Sequence, residues 1–324
     1  MIITRTPFRV SFAGGGTDMK EFYSRNGYGA VVSATINRYM YIVIHPYFHD
    51  KIRVKYSRTE DVDNVADIAH PIVRECLRKV GIERGVEIAS FADIPAGTGL
   101  GSSCAFTVGL LHSLYAYKGK VVSKEQLARE ACEIEIDILG EPIGKQDQYA
   151  VAYGGLNHIV FYRDEKVEVS PILLTEAARK NFESMLSLYY IGGERSAGDI
   201  LSEQRQDIAA GNDIKFQNLR KMVALTEELQ GAFQNNKLDS VGDILHRGWL
   251  YKKELSSSIS NPQIDALYKK ALTHGARGGK LLGAGGTGFL LIDYCDRNEL
   301  GAHMGCRTLP FAMDREGTKI LFYE

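Results

Sequence analysis

Pro95-Ala-Gly-Thr-Gly-Leu-Gly-Ser-Ser103 is the stretch on which the reading of this chain turns. An alternating segment, Gly85 to Phe91, runs into it, and an apolar run leaves it through Phe106, Val108, Leu110, Leu111 and Leu114. The pattern is strand, glycine loop, helix, with Ser102 or Ser103 expected as the helix N-cap. Glycines let backbone N–H groups approach an anion, and a helix N-terminus adds partial positive charge. A phosphate cradle is therefore expected; the alternative is a glycine turn that only starts a core helix. Neither commoner phosphate motif fits. G-x-x-x-x-G-K-[ST] occurs nowhere, and glycines at 97, 99 and 101 miss the G-x-G-x-x-G spacing.

Around that loop, the bulk properties narrow the class. A chain of 324 residues supports two domains with real cores. Its 39 Lys and Arg against 40 Asp and Glu give a net charge of −1, which argues against nucleic acid as a partner. The segment Met1-Ile-Ile-Thr-Arg-Thr-Pro7 has neither the apolar core nor the cleavage site of a signal peptide, and no stretch is apolar enough to span a bilayer. The five cysteines are scattered without a C-x-x-C pair, so a reduced cytoplasmic setting without membrane partners is expected.

Phe8, Val10 and Phe12 alternate with Arg9 and Ser11, then give way to Ala13-Gly-Gly-Gly-Thr-Asp18. Strands are expected at Arg38–Ile44 and Lys51–Ser57, then a helical segment that ends at Gly81, within which Pro71 marks either a break or a fresh start. The next helix starts on Ser123 and Gln126, at capping-box spacing, and stops at Gly140 and Pro142. On a wheel of about 3.6 residues per turn, Leu127, Ala128, Ala131, Cys132, Ile134, Ile138 and Leu139 share one apolar arc. Glu130, Glu133 and Asp137 lie opposite, as an expected solvated face. Glu135 falls inside the apolar arc, where a carboxylate needs a salt bridge, a metal or a cleft. Asp147, in Gly144-Lys-Gln-Asp-Gln148, is either a helix cap or an acceptor for a substrate hydroxyl proton.

A hairpin with its turn at Asp164-Glu165 follows, and beyond residue 175 the character shifts to helices, so the expected domains are 1–175 and 176–324. Asn261-Pro262 is a helix start and Trp249 a core residue. Gly283-Ala-Gly-Gly-Thr-Gly288 satisfies G-x-G-x-x-G formally. A dinucleotide fingerprint precedes a helix, however, and Phe289-Leu-Leu-Ile292 reads as a strand. A glycine turn that could wall a phosphate is expected there instead.

Phe8 to Asp18, Pro95 to Ser103, and Lys280-Leu-Leu-Gly-Ala-Gly-Gly-Thr-Gly288 together resemble the motifs of the GHMP small-molecule kinases. The resemblance spans nearly the whole chain. It implies an α+β fold, with an N-terminal domain like ribosomal protein S5 domain two and a ferredoxin-like C-terminal domain. It also implies ATP and Mg2+. Pro95, Gly97, Gly99, Leu100, Gly101, Ser102 and Ser103 would hold the nucleotide phosphates with Gly285 and Gly286, and Ser103 and Glu135 would ligate the metal. Asp147 would serve as base beside Arg9. Gly14, Gly15, Gly16, Thr17 and Asp18 would form the sugar motif. Galactokinases carry a Glu-His pair where this chain has Gly15-Gly16. Ala-Gly-Gly-Gly-Thr-Asp with Gly-Lys-Gln-Asp-Gln is similar to the family's heptose 7-phosphate kinases, whose partner is a small sugar phosphate; fucokinases, which share a related glycine-rich form, and non-catalytic sugar sensors on the same fold are the alternatives. Lys145 and Arg195 are the expected cations for that substrate phosphate, and a homodimer is compatible with the reading.

Overall fold

The computed structural model describes residues 1–193, 198–209, 213–294 and 297–324. In chain order the first half contributes β1 (Ile2–Ala13), α1 (Lys20–Asn26), β2 (Tyr28–Pro46), β3 (Ile52–Lys55), β4 (Thr59–Val62) and α2 (Pro71–Val80). It continues with β5 (Val86–Ala92), α3 (Ser102–Tyr117), α4 (Lys124–Cys132), α5 (Gln146–Tyr153), β6 (Leu156–Tyr162) and β7 (Val167–Pro171). The second half contributes α6 (Glu176–Met185), β8 (Leu186–Tyr190), α7 (Gly198–Ala209), α8 (Asp213–Gln234), α9 (Val241–Lys253) and α10 (Pro262–Thr273). The chain ends with β9 (Gly278–Leu281), β10 (Phe289–Asp293), α11 (Arg297–Met304), β11 (Arg307–Pro310) and β12 (Lys319–Tyr323).

The first sheet runs β12-β1-β2-β5-β3-β4, with β6 also paired to β2 and β7 paired to β6. β2 does this by length: Tyr28 to Ala34 pairs β6, and Met40 to Pro46 pairs β5. The expected strand Arg38–Ile44 is thus the second part of a strand that starts at Tyr28. The second sheet has the order β11-β8-β10-β9, antiparallel throughout. Numbered within that sheet this is 4-1-3-2, the ferredoxin-like arrangement, so the expected α+β architecture is borne out. The last strand, β12, crosses back to pair with β1 in the first sheet.

α3 is buried along nearly its whole length, from Cys104 to Ala116. It packs against β1 and β2 on one side and α2, α4 and α5 on the other. Both faces of β1 are covered, because α8 and α9 of the second half also pack on it. Phe12 meets Phe182 and Phe311 at ring distances of 5.5 and 6.0 Å. Arg9 and Ser11 are therefore as buried as Phe8 and Val10, which single-face alternation does not anticipate.

The helix rules fared unevenly. Ser123 caps α4 by accepting from Gln126 N, Asn261 caps α10, Gly81 ends α2 in the left-handed region, and Trp249 is fully buried. Ser102 and Ser103 do not cap α3. Gly101 is the N-cap, at φ 76°, and the two serines form the first turn. The solvated acidic face also needs correction. Glu130 is only 5% exposed and accepts from the Tyr115 hydroxyl at 2.7 Å and from Gln126 at 3.0 Å, while Glu133 pairs with Lys79. Of the trio, only Asp137 lies in solvent. The helix continues past Cys132 as a π-helical segment, Glu133–Ile138. That wider i→i+5 winding turns the last residues out of the expected phase, so Ile138 is exposed rather than core.

Candidate active site

Gly97, Gly99 and Gly101 adopt φ of 74°, 82° and 76°, a conformation that disfavours residues with a Cβ. A Cβ on Gly99 would lie 2.6 Å from Leu282 O, because this loop crosses the Gly283–Gly288 turn at contact distance. Two glycine motifs far apart in sequence thus form adjoining walls. The free amides of the first turn of α3 open beside them.

Arg9 ties the loop to the next element. Its Nε and Nη2 donate to Asp147 Oδ1 and Oδ2 at 2.6 and 2.5 Å, and its Nη1 donates to Gly99 O at 2.7 Å. This two-pronged grip fixes the Asp147 carboxylate in the first turn of α5. Asp18 stands nearby, accepting from Gly16 N at 2.9 Å, Gln146 Nε2 at 3.1 Å and Gln146 N at 3.1 Å. Burial pushes its carboxyl up to about 6, against the opposing pull of these backbone donors.

Glu135 is 0% exposed. Ser103 Oγ donates to its Oε1 at 2.6 Å and Gln148 Nε2 to its Oε2 at 2.8 Å. Burial raises its pKa, and the donors around it, Ser103, Gln148 and the Cys104 thiol, are all neutral. A buried carboxylate with no salt-bridge partner among the described residues, beside a hydroxyl oxygen, is a hard-oxygen donor set. It fits Mg2+, which commonly takes one or two protein oxygens and completes its shell with phosphate and water.

Two clefts meet at this centre. The larger, about 1490 Å3, is lined by Gly97, Gly99, Gly101, Ser102, Ser103, Glu135 and Gly285. An aromatic wall closes it: His70 stacks on Phe106 at 5.1 Å and meets Tyr56 edge-on at 4.9 Å. The smaller, about 670 Å3, is lined by Ser11, Gly15, Gly16, Asp18, Gln146, Lys252 and Lys280. Arg9 and Asp147 line both. A donor and an acceptor held in the two clefts would meet at that pair.

Other expected site residues take supporting places. Leu100 is buried and Pro95 O accepts from Thr98, so neither lines the larger cleft. Gly286 donates its amide to Ile259 O. Thr17 is buried and donates to Gly14 O and Ala30 O, which closes the loop that presents Asp18. Lys145 pairs with Glu165 and lies over the Tyr23 ring, outside the smaller cleft. Arg195 lies outside the described residues.

The sequence reading missed Ser11, Gln146, Lys252 and Lys280 as cleft residues. A usable signal existed for Lys252: it shares the spacing of Leu245, Gly248 and Trp249, which places it on the buried face of α9. Tyr56, His70 and Phe106 carry no comparable signal.

A glycine-lined loop at a helix start adjoins a carboxylate clamped at the seam of two clefts, an arrangement suited to group transfer between two small molecules. Residues 67–155 match the GHMP kinases N terminal domain, and residues 229–308 match the GHMP kinases C terminal domain. The chain belongs to the GHMP kinase family, and it is an ATP-dependent kinase. A D-glycero-alpha-D-manno-heptose 7-phosphate kinase from Campylobacter jejuni is 29% identical, over 90% of this chain and 88% of its own. A bifunctional fucokinase/GDP-fucose pyrophosphorylase from Arabidopsis thaliana is 26% identical over 88% of this chain, which spans 29% of that longer protein. Among solved structures, a D-glycero-D-manno-heptose 1-phosphate kinase from Bacteroides thetaiotaomicron superposes over 100% of both chains, with a TM-score of 0.82 and 22% identity.

Proposed function

We propose that this kinase phosphorylates the anomeric hydroxyl of D-glycero-D-manno-heptose 7-phosphate, giving the 1,7-bisphosphate for nucleotide-activated heptose and surface glycans. The observation that carries the reading is the acceptor cleft itself. Asp18 and Asp147 both line it, and only Asp147 also reaches the nucleotide side. The likeness to the heptose 7-phosphate kinase over most of both chains supports this choice of sugar.

In this reading Asp18, immobilised by Gly16 and Gln146, accepts hydrogen bonds from sugar hydroxyls and sets the ring's orientation. Asp147 takes the proton of the anomeric hydroxyl as that oxygen forms its bond to the γ-phosphorus. The bond from the γ-phosphorus to the bridging oxygen breaks, and ADP leaves with the electron pair. Arg9 holds Asp147 in place and offers positive charge to the transferring group. Ser103 Oγ and the Glu135 carboxylate would hold Mg2+, which supplies charge neutralisation for the nucleotide phosphates. The amides of the 97–103 loop bind those phosphates, and the Tyr56, His70 and Phe106 wall offers a stacking surface for the base.

A cytoplasmic location belongs to the same reading. It is supported by free Cys76, Cys104, Cys132 and Cys306, and among the described residues no helix is long and apolar enough to cross a membrane. The test is ADP release from ATP and Mg2+ across a panel of heptose 7-phosphate, heptose, fucose and galactose. The expected result is a preference for heptose 7-phosphate. Full turnover of fucose or galactose with none of heptose 7-phosphate would overturn the assignment.

A further inference from the structure

Lys252, in the last turn of α9, and Lys280, on β9, both line the acceptor cleft and neither lines the nucleotide cleft. They are 7% and 4% exposed. Among the described residues their partners are backbone carbonyls alone. Lys252 Nζ donates to Gly283 O and, at 3.4 Å, to Leu281 O; Lys280 Nζ donates to Phe12 O at 3.2 Å. An ammonium has three protons to donate, so one on Lys252 and two on Lys280 have no acceptor among the described residues. The cleft's carboxylates do not answer them. Asp147 is held by Arg9, and Asp18 is held by Gly16 and Gln146.

Burying one unpaired cation is costly, and burying two close enough to repel each other and Arg9 is costlier. Burial, and after it the repulsion, depress the lysines' pKa values. A dianion entering this cleft would neutralise both charges and take up the idle donors. Lysine is suited to that role as a point charge for phosphate.

We propose that Lys252 and Lys280 form an anion subsite of the acceptor cleft, which holds the phosphate that the sugar already bears. The proposal rests on the functional reading above for the identity of the sugar. Its anion chemistry is independent of that identity. Two sources could supply such a group, the acceptor's own phosphate or the γ-phosphoryl in transit. Placement on the acceptor side alone favours the first. It also explains how Lys145, tied to Glu165, need not carry that role.

The experiment uses the full chain with Lys252→Met and Lys280→Met, each close in shape and uncharged. Binding of heptose 7-phosphate without ATP is measured by calorimetry, and turnover is compared for heptose 7-phosphate and heptose. Each variant should weaken sugar-phosphate binding by about 30-fold or more, the consequence of removing a buried charge contact. The ratio of kcat/KM for the phosphorylated over the unphosphorylated sugar should fall by a similar factor. Equal losses on both sugars with kcat reduced would overturn the proposal in favour of the γ-phosphoryl. Unchanged binding and ratio would reduce the lysines to loop anchors.

Inorganic phosphate separates this proposal from the functional reading. It should raise the melting temperature of the parent protein and have a markedly smaller effect on either variant. If the parent turns over no sugar phosphate yet phosphate stabilisation depends on the lysines, the subsite stands and the substrate assignment falls. If phosphate stabilises parent and variants alike, the subsite falls.

Discussion

Replacing Lys280 with methionine should make the protein more stable at neutral pH, by an amount that shrinks as the pH rises. Burial and the nearby Arg9 depress the Lys280 ammonium from its ordinary 10.5 to about 7 in the folded chain. Below pH 7 both states are protonated, and the folded state bears the whole penalty. At about 1.4 kcal/mol per pH unit between the two values, that is about 5 kcal/mol. Between 7 and 10.5 the unfolded chain holds a proton that the folded chain has released. Stability from this group therefore rises with pH across that window. Methionine removes the penalty and also the donor to Phe12 O, a loss of about 1 kcal/mol. The variant should gain about 3–4 kcal/mol at pH 7, with the gap falling by about that amount toward pH 10.5. Urea unfolding of both proteins at pH 7, 8.5 and 10 measures it; groups that do not interact with Lys280 cancel in the difference, whereas Lys252, which Lys280 repels, adds to it. A variant less stable than the parent at pH 7, or a gap that does not change with pH, would refute the claim that Lys280 is a buried, uncompensated cation.

Three further outcomes follow from the geometry. Asp147→Asn keeps the shape of the clamped side chain but removes its basic oxygen, and should lower kcat by about 100-fold to 10,000-fold; ATP affinity measured by calorimetry should stay within about threefold of the parent. Glu135→Gln should raise the Mg2+ concentration for half-maximal rate by about tenfold or more, since the buried carboxylate loses its charge; an unaltered Mg2+ titration would assign Glu135 a purely structural role. Gly144→Ala would put a Cβ 2.0 Å from Asp18 Oδ2, displacing that carboxylate. The KM for sugar should rise by about tenfold or more while the KM for ATP moves far less.

Much of the site was legible because its chemistry demands local sequence. The 97, 99 and 101 glycines are needed for a left-handed path, Ser103 follows at the helix start, and Glu135 betrays itself as a carboxylate within an apolar arc. The same wheel argument applied to α9 would have found Lys252. Gln146 and Ser11 could not be found that way, because each matters through a cleft formed by several distant elements. Glu130 was misread for a related reason. Its buried position depends on Tyr115 of α3, and no period within its own helix reveals that partner. The turn of π-helix from Glu133 to Ile138 then altered the phase that a straight α-helix assumes.

Taken alone, the amino-acid order determined the elements that answer to nearest neighbours: the glycine loops, the caps at Ser123 and Asn261, the strand after Gly288, and the family to which these belong. Tertiary structure decided which glycine loops touch, which end of the chain completes the first sheet, and which cations share the smaller cleft. Gly99 lies against Leu282 and Gly283, and β12 pairs with β1. Lys252 and Lys280 converge from a helix and a strand that are separated in sequence. Local pattern is set by the backbone's few soft dihedrals and by side-chain periodicity. Convergence depends instead on how whole layers pack, and in this protein both clefts lie where those layers meet.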